Sequence, residues 1–138
     1  MNGLDTNILA RYYIEDAGDE ESLKQRRLAQ KIIETGVPLM VCKTVILEFE
    51  WVMRGYYEFS AHAISTVFEH LLSLGHLHIE DRAAVQKALV YYQAGLDFAD
   101  ALHHASYQSC ANMLSFDDRR FARRVKKMAL LPPVIVPK

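Results

Sequence analysis

The stretch GLDTNIL, residues 3–9, predicts the opening unit of an α/β fold, a strand followed by a turn and a helix. A short apolar segment ends at Asp5, and Thr6 and Asn7 precede an apolar helical pattern. Asp, Thr and Asn favour turns and helix starts, which predicts a capping role for Asp5. In an open parallel sheet, the residue that follows a strand also lies at the edge where binding sites form. This stretch alone leaves both roles open.

The alternation of short apolar runs and amphipathic segments continues along the whole chain. Strands are predicted at 2–5, 37–42, 76–79, 113–116 and 132–136, with 113–116 as a buried strand. Helices are predicted at about 7–14, 18–36, 44–57, 60–75, 81–95 and from 97, with a short basic helix after 116. This order is typical of a parallel sheet with helices on both faces. Two prolines place the last strand at an edge.

The helix predicted at 44–57, with Thr44 as its cap, carries one apolar stripe that includes Phe49, Met53 and Tyr56. Two glutamates flank this stripe. Glu48 lies nearer the start of the helix, and hence nearer Asp5, so it is the preferred functional acid over Glu50. Outside the stripe, Leu47 and Trp51 form a second apolar pair. Such a pair suits a protein interface, unless the helix at 60–75, with Ser60 as its cap, covers it.

Composition predicts one domain, residues 1–138, in a chain with 51% hydrophobic and 24% charged residues. No apolar run approaches the roughly 20 residues of a membrane span, no secretion signal opens the chain, and the two cysteines form no C-x-x-C pair. We therefore expect a cytoplasmic protein without membrane contact. The net charge of −1 gives no overall attraction to nucleic acid.

One segment departs from this charge balance. The run RRFARRVKK, residues 119–127, holds six basic side chains and no acid. It is either a solvated helix end or a patch that binds phosphates.

Acidic residues fall where four separate segments are predicted to reach the same edge of the sheet. They are Asp5, Glu48, the pair Asp97 and Asp100, and the pair Asp117 and Asp118. A helix cap explains each acid singly. Several carboxylates placed together are unfavourable unless a cation neutralises them or some are protonated. Ligands that are mostly oxygen atoms favour Mg²⁺ or Mn²⁺ over Zn²⁺.

Four motifs, GLDTNIL, VILEFEWVM, DFADALHHA and SFDDRRFARR, resemble in this order the acidic motifs of PIN domains. They are similar in particular to those of the VapC-type toxins of bacterial toxin–antitoxin pairs. The resemblance covers nearly the whole chain. It implies a three-layer α/β/α sandwich around a central parallel sheet of four or five strands, and metal-dependent cleavage of RNA.

The resemblance also implies roles for individual residues. The catalytic acids that bind Mg²⁺, or alternatively Mn²⁺, are Asp5, Glu48, Asp100 and Asp117, with Asp118 as an alternative to Asp117. Supporting roles fall to Thr6, Asn7, Ser115 and Asp97. RNA-binding roles near the metal fall to Arg119, Arg120, Arg123 and Arg124. For His103 and His104 we expect packing or hydrogen bonding rather than acid–base catalysis.

The VapC-type resemblance implies the toxin of a type II pair, an endoribonuclease that hydrolyses RNA such as tRNA. It further implies a cognate antitoxin that inhibits the enzyme, and a homodimer. The alternative is a catalytically silent PIN domain that binds RNA or protein. An aspartyl phosphatase is disfavoured because Asn7 stands where its second aspartate is needed.

Overall fold

The computed structural model describes residues 1–15 and 18–138. The chain divides into two compact units, Met1–Arg82 and Ala83–Lys138. Both contain helices and parallel strands, which confirms the predicted α/β class. Within the described residues, no helix combines the length and the apolar character needed to cross a membrane.

The first unit contains a three-stranded parallel sheet in the order β1-β2-β3. Its register pairs Gly3 with Met40, and Met40 with His78. The elements are β1 (Asn2–Gly3), α1 (Thr6–Tyr13), α2 (Glu20–Glu34), β2 (Leu39–Val41), α3 (Lys43–Trp51), a π-helical turn (Val52–Tyr56), α4 (Ala61–Ser73) and β3 (Leu77–Ile79).

Side chains of β2 and β3 alternate between core and surface, as expected for the two-residue period of a strand. Leu39 and Val41 are buried while Met40 is exposed, and β3 repeats this pattern. The buried face joins a core centred on Phe49 and Phe68, whose rings meet edge-to-face with centroids 6.1 Å apart. Helices on both faces of a sheet, the three-layer arrangement, stay a prediction.

The start of α3 corrects the prediction that Thr44 caps this helix. The helix begins at Lys43, and the side chain of Cys42 at the cap position makes no capping hydrogen bond. Instead, the backbone N–H of Lys43 donates to Glu80 Oε1, 2.7 Å away, just after β3. A carboxylate from a distant segment thus satisfies a free N–H of the first turn. By contrast, Ser60 caps α4 as predicted, accepting from the N–H of Ala63 at 3.1 Å.

The end of α3 corrects the prediction that Tyr56 belongs to the buried stripe. Residues Val52–Tyr56 form a π-helical turn, in which the N–H of Tyr57 donates to the carbonyl of Val52 at 3.2 Å. A π-helical turn holds more residues than an α-helical one, so the α-helical period no longer predicts orientation. Met53 stays fully buried, but Tyr56 is 74% exposed.

The second unit contains a two-stranded parallel sheet, in which Met113 pairs with Val134 and Leu114 with Ile135. Its elements are α5 (Arg82–Gln93), whose first residue belongs to the first unit, α6 (Phe98–Ser106), β4 (Met113–Leu114), a π-helical turn (Asp118–Ala122), α7 (Arg123–Lys127) and β5 (Val134–Ile135). The described strands thus form sheets of three and two, and one central sheet of four or five strands is not confirmed.

The strand predicted at 113–116 is shorter than expected, and the prediction that it is buried is wrong. Only Met113 and Leu114 form β4. Leu114 is 67% exposed and Phe116 is 83% exposed, although both are large and apolar. The apolar run predicted a core position, but the strand ends at Leu114, so Phe116 lies in the connection before the second π-helical turn.

His104 takes the packing role that the sequence predicts. The residue is fully buried, and its Nε2–H donates to the carbonyl of Pro132 at 2.8 Å. Its ring meets Tyr91 and Phe121 edge-to-face, with centroids 5.8 Å and 6.3 Å away. This contact ties α6 to the segment that leads into β5.

We predict that His104→Phe destabilises the protein by about 1–3 kcal/mol, because it keeps a ring but leaves a buried carbonyl unpaired. The matched control is His103→Ala at the neighbouring, exposed position, which should change stability by less than about 0.5 kcal/mol. Urea unfolding followed by circular dichroism measures both. Equal stability of the two variants would contradict the role assigned to His104.

Candidate functional site

Asp5 lies between β1 and α1 and caps the helix. Its Oδ1 accepts a hydrogen bond from the backbone N–H of Thr6 at 2.8 Å. The side chain is exposed. The capping role predicted for Asp5 is therefore confirmed, and an exposed carboxylate at the end of a strand also suits a binding site.

Thr6 connects Asp5 to Glu48. Its side chain is buried, and its hydroxyl donates a hydrogen bond to Glu48 Oε1. Its backbone N–H already binds Asp5. One residue thus holds two carboxylates that lie on different elements, and the first unit brings these two predicted acids together.

The two glutamates of α3 have different environments, and these support the preference for Glu48. Glu50 is buried and its Oε2 lies 2.8 Å from Nε of Arg54, so it forms an ion pair within one turn of helix. Glu48 is exposed apart from its bond to Thr6. Of the two, Glu48 is the carboxylate available to an external ligand.

Asp5 and Glu48 line one open groove of the first unit, with a volume of about 380 Å³. Asn7 and Arg11 of α1 also line it, and Nε of Arg11 donates to Gln25 Oε1 at 2.9 Å. The lining also includes three aromatic side chains: Trp51, Tyr56 and Tyr57. The groove therefore combines carboxylates, one cation and aromatic rings.

The second unit gathers three of the predicted acids. Asp97 caps α6 and accepts from the N–H of Asp100 at 3.2 Å. Burial raises the pKa of the Asp100 carboxyl above its ordinary value, and the negative charges of Asp97 and Asp117 raise it further. His103 and Arg124 oppose this rise in pKa. The charges of Asp97 and Asp117 thus act on the carboxyl of Asp100.

Asp117 is held in place by the turn that follows it. Its Oδ1 accepts from the N–H groups of Arg120 and Phe121 at 3.0 Å and 3.3 Å, capping the second π-helical turn. Its own N–H donates to Ser115 Oγ at 3.1 Å. Asp118 instead lines a separate groove beside α7. Asp117 is thus the one of this pair whose charge acts on Asp100.

The basic run follows directly after Asp118, and its four arginines are exposed. Arg124 also serves the unit itself, since its Nη1 donates to the carbonyl of Gly95 at 3.2 Å. Its positive charge lowers the pKa of Asp100. Exposure keeps both interpretations of this run open, a solvated helix end or a phosphate-binding patch.

The predicted acids of both units carry donor atoms that fit a hard divalent cation. Carboxylate and hydroxyl oxygens are the donors that Mg²⁺ prefers. In the part of the chain that the structure describes, no group of three or more His, Cys, Asp or Glu forms a cluster that holds a metal ion by itself. The residue types therefore fit Mg²⁺, while the separate groups form no complete ligand set.

Sequence reasoning missed Arg11 and two tyrosines of the groove. Arg11 lies four residues after Asn7 on α1, so helical spacing alone places both on one face. The α-helical period assigned Tyr56 to the buried stripe, but the π-helical turn interrupts that period, and Tyr57 follows the turn. No simple sequence signal reveals that turn.

Comparison with known proteins gives one family match and no match to a curated protein. No relative therefore tests the finer similarity to VapC-type toxins. The family model described as PIN domain matches residues 4–127, a range that includes every predicted acid. PIN domains are generally nucleases and commonly use divalent metals. Since the match spans most of the chain, we conclude that the chain belongs to the PIN domain family.

Proposed function

We propose that the chain is a Mg²⁺-dependent endoribonuclease and the toxin of a type II toxin–antitoxin pair. The observation that carries this proposal is that Thr6 holds two of the predicted acids, Asp5 and Glu48, at one open groove. Carboxylates held at one site favour a bound cation. Membership of a family of nucleases makes a catalytic cation the natural explanation.

The proposed ligands of Mg²⁺, or of Mn²⁺, are Asp5, Glu48, Asp100 and Asp117. When bound, the ion supplies positive charge to the phosphate and makes water a better nucleophile. Other residues of the protein orient these ligands. Thr6 holds Asp5 and Glu48, and Ser115 holds the backbone of Asp117. Asn7 lines the groove with Asp5, and Asp97 adds negative charge beside Asp100.

The exposed arginines after Asp117 would hold the RNA backbone. Contacts to phosphates position a nucleic acid without reading its bases. Arg119, Arg120 and Arg123 are the favoured side chains, because Arg124 already binds the carbonyl of Gly95.

Three further parts of the proposal rest on the VapC-type resemblance: a tRNA-like substrate, a homodimer and a cognate antitoxin that inhibits the enzyme. The proposed cytoplasmic location rests on the composition of the sequence. A basic side chain of the antitoxin would neutralise the carboxylates that otherwise bind the cation.

A second candidate is a catalytically silent PIN domain that binds RNA or protein. It is favoured by one observation, the lack of a complete metal cluster within the described residues. Such a module would bind RNA but leave it intact in the presence of Mg²⁺.

The test of catalysis uses purified protein, total cellular RNA and Mg²⁺ or Mn²⁺. We expect discrete fragments that disappear with EDTA, with Asp5→Asn and with Asp100→Asn, because each amide lacks the negative charge of a ligand. Asn remains a good helix cap, so Asp5→Asn should stay folded. The matched control is Asp118→Asn, which should cleave like the wild type. Intact RNA with every protein would favour the silent module, and full activity of Asp100→Asn would exclude its role.

A second prediction concerns Thr6. Thr6→Val keeps the shape of the side chain but removes the hydroxyl that holds Glu48, so cleavage should fall about 10- to 100-fold. Thr6→Ser keeps the hydroxyl and should recover most of the loss. Initial rates at saturating Mg²⁺, together with Mg²⁺ titrations, measure both variants. Equal rates for the Val and Ser variants would remove the hydroxyl from the mechanism.

A third prediction concerns the basic run. Arg119→Glu/Arg120→Glu/Arg123→Glu should weaken RNA binding and lower its salt slope by about 2, since each lost phosphate contact with a single strand removes about 0.7. The control reverses three exposed charges on α2, Lys24→Glu/Arg27→Glu/Lys31→Glu. Fluorescence anisotropy at several salt concentrations compares the two. Equal losses would assign the effect to net charge alone.

A further inference from the structure

We propose that Trp51 and Tyr56 form a stacking platform for an unpaired base of the RNA substrate. This inference rests on the proposed function and adds the form of RNA that the enzyme accepts. The platform lies in the same groove as Asp5 and Glu48. A nucleotide would place its phosphate toward the acids and their cation, and its base against the rings.

Both rings are unusually exposed for large aromatic side chains. Trp51 is 60% exposed and Tyr56 is 74% exposed, yet both line the groove. Leu47, which the sequence paired with Trp51 as an interface, is half-buried, and it is not among the residues that line this groove. Trp51 therefore shares its groove with the carboxylates, whereas Leu47 does not line it.

Neighbouring residues of the chain contact both rings. Gly55 lies beneath the indole of Trp51, and a Cβ atom on Gly55 would sit 3.6 Å from indole Cε2. The ring of Tyr56 packs edge-to-face on Tyr57, with centroids 4.8 Å apart and planes at 73°. Rings that are already positioned lose less conformational entropy when a ligand binds.

The mixed chemistry of the groove favours a nucleotide over an apolar side chain of a partner protein. Such a side chain would have to bury Asp5 and Glu48 without pairing their charges. A nucleotide instead offers a phosphate that a cation joins to the carboxylates, and a base whose flat face suits stacking. The volume of about 380 Å³ lies within the roughly 300–1,000 Å³ typical of small-ligand pockets.

A stacking platform selects unpaired RNA. A base within a duplex is already stacked on its neighbours, whereas bases in loops and ends can stack on aromatic side chains. We therefore infer that the enzyme accepts loops or single strands near the cut site.

The chain has one tryptophan and seven tyrosines, so its tryptophan fluorescence, excited where tyrosine does not absorb, reports on Trp51 alone. The wild-type protein is titrated with a short fluorescein-labelled RNA without secondary structure, in Ca²⁺ and again in EDTA, and a gel confirms that the RNA stays intact. We expect tryptophan quenching that saturates together with the anisotropy of the RNA. A fully paired hairpin of the same length should bind without this quenching.

Substitutions test the two rings by anisotropy. Trp51→Ala and Tyr56→Ala should each weaken binding of the unpaired RNA about 5- to 150-fold, the usual range for losing one stacked base. Trp51→Phe should retain most of the affinity because it keeps a ring. The control is Tyr107→Ala, an exposed aromatic residue of the second unit, which should bind like the wild type. Circular dichroism confirms that each variant is folded.

Different failures have different meanings. If the wild type cleaves RNA but shows no quenching, and Trp51→Ala binds normally, the platform is wrong and the nuclease proposal stands. If Trp51→Ala changes only the oligomeric state, measured by light scattering, the rings serve a second copy of the chain and the platform is also wrong. If the wild type neither binds nor cleaves any RNA, both proposals fail.

Discussion

The site of the first unit depends on two hydrogen bonds donated by Thr6. Its backbone N–H holds Asp5 at the end of β1, and its hydroxyl holds Glu48 on α3. The two acids are far apart in sequence, and each has a purely local role, as a helix cap or as one side chain of a helix. Burial of Thr6 fixes both contacts, because an unmade hydrogen bond there costs free energy. Thr6 thus holds two carboxylates from different elements at one groove.

The second unit faces an electrostatic constraint. Asp97 and Asp117 are tied to backbone N–H groups at the starts of their turns, and Asp100 lies between their charges in sequence. The pKa of Asp100 rises as a result of burial and of these charges. A bound divalent cation would reduce the repulsion between these carboxylates. The charges of His103 and Arg124 oppose part of this rise in pKa.

Two π-helical turns stand beside the proposed acids. One follows α3, which carries Glu48, and the other follows Asp117 directly. Turns of this kind recur at functional sites because they redirect side chains without ending a helix. The first exposes Tyr56 and places Gly55 under Trp51. The sequence prediction assumed a continuous α-helix, and it therefore assigned Tyr56 to the core.

The sequence by itself determined the α/β class, the family and several helix starts. Asp5, Ser60 and Asp97 cap helices as predicted, because a cap is a contact between residues a few positions apart. Only the tertiary structure decided that Glu80 caps α3 at Lys43, and that the described strands form two sheets. The contact between Thr6 and Glu48 is of the same kind. Such contacts join segments tens of residues apart, and local periodicity carries no information about which distant groups meet.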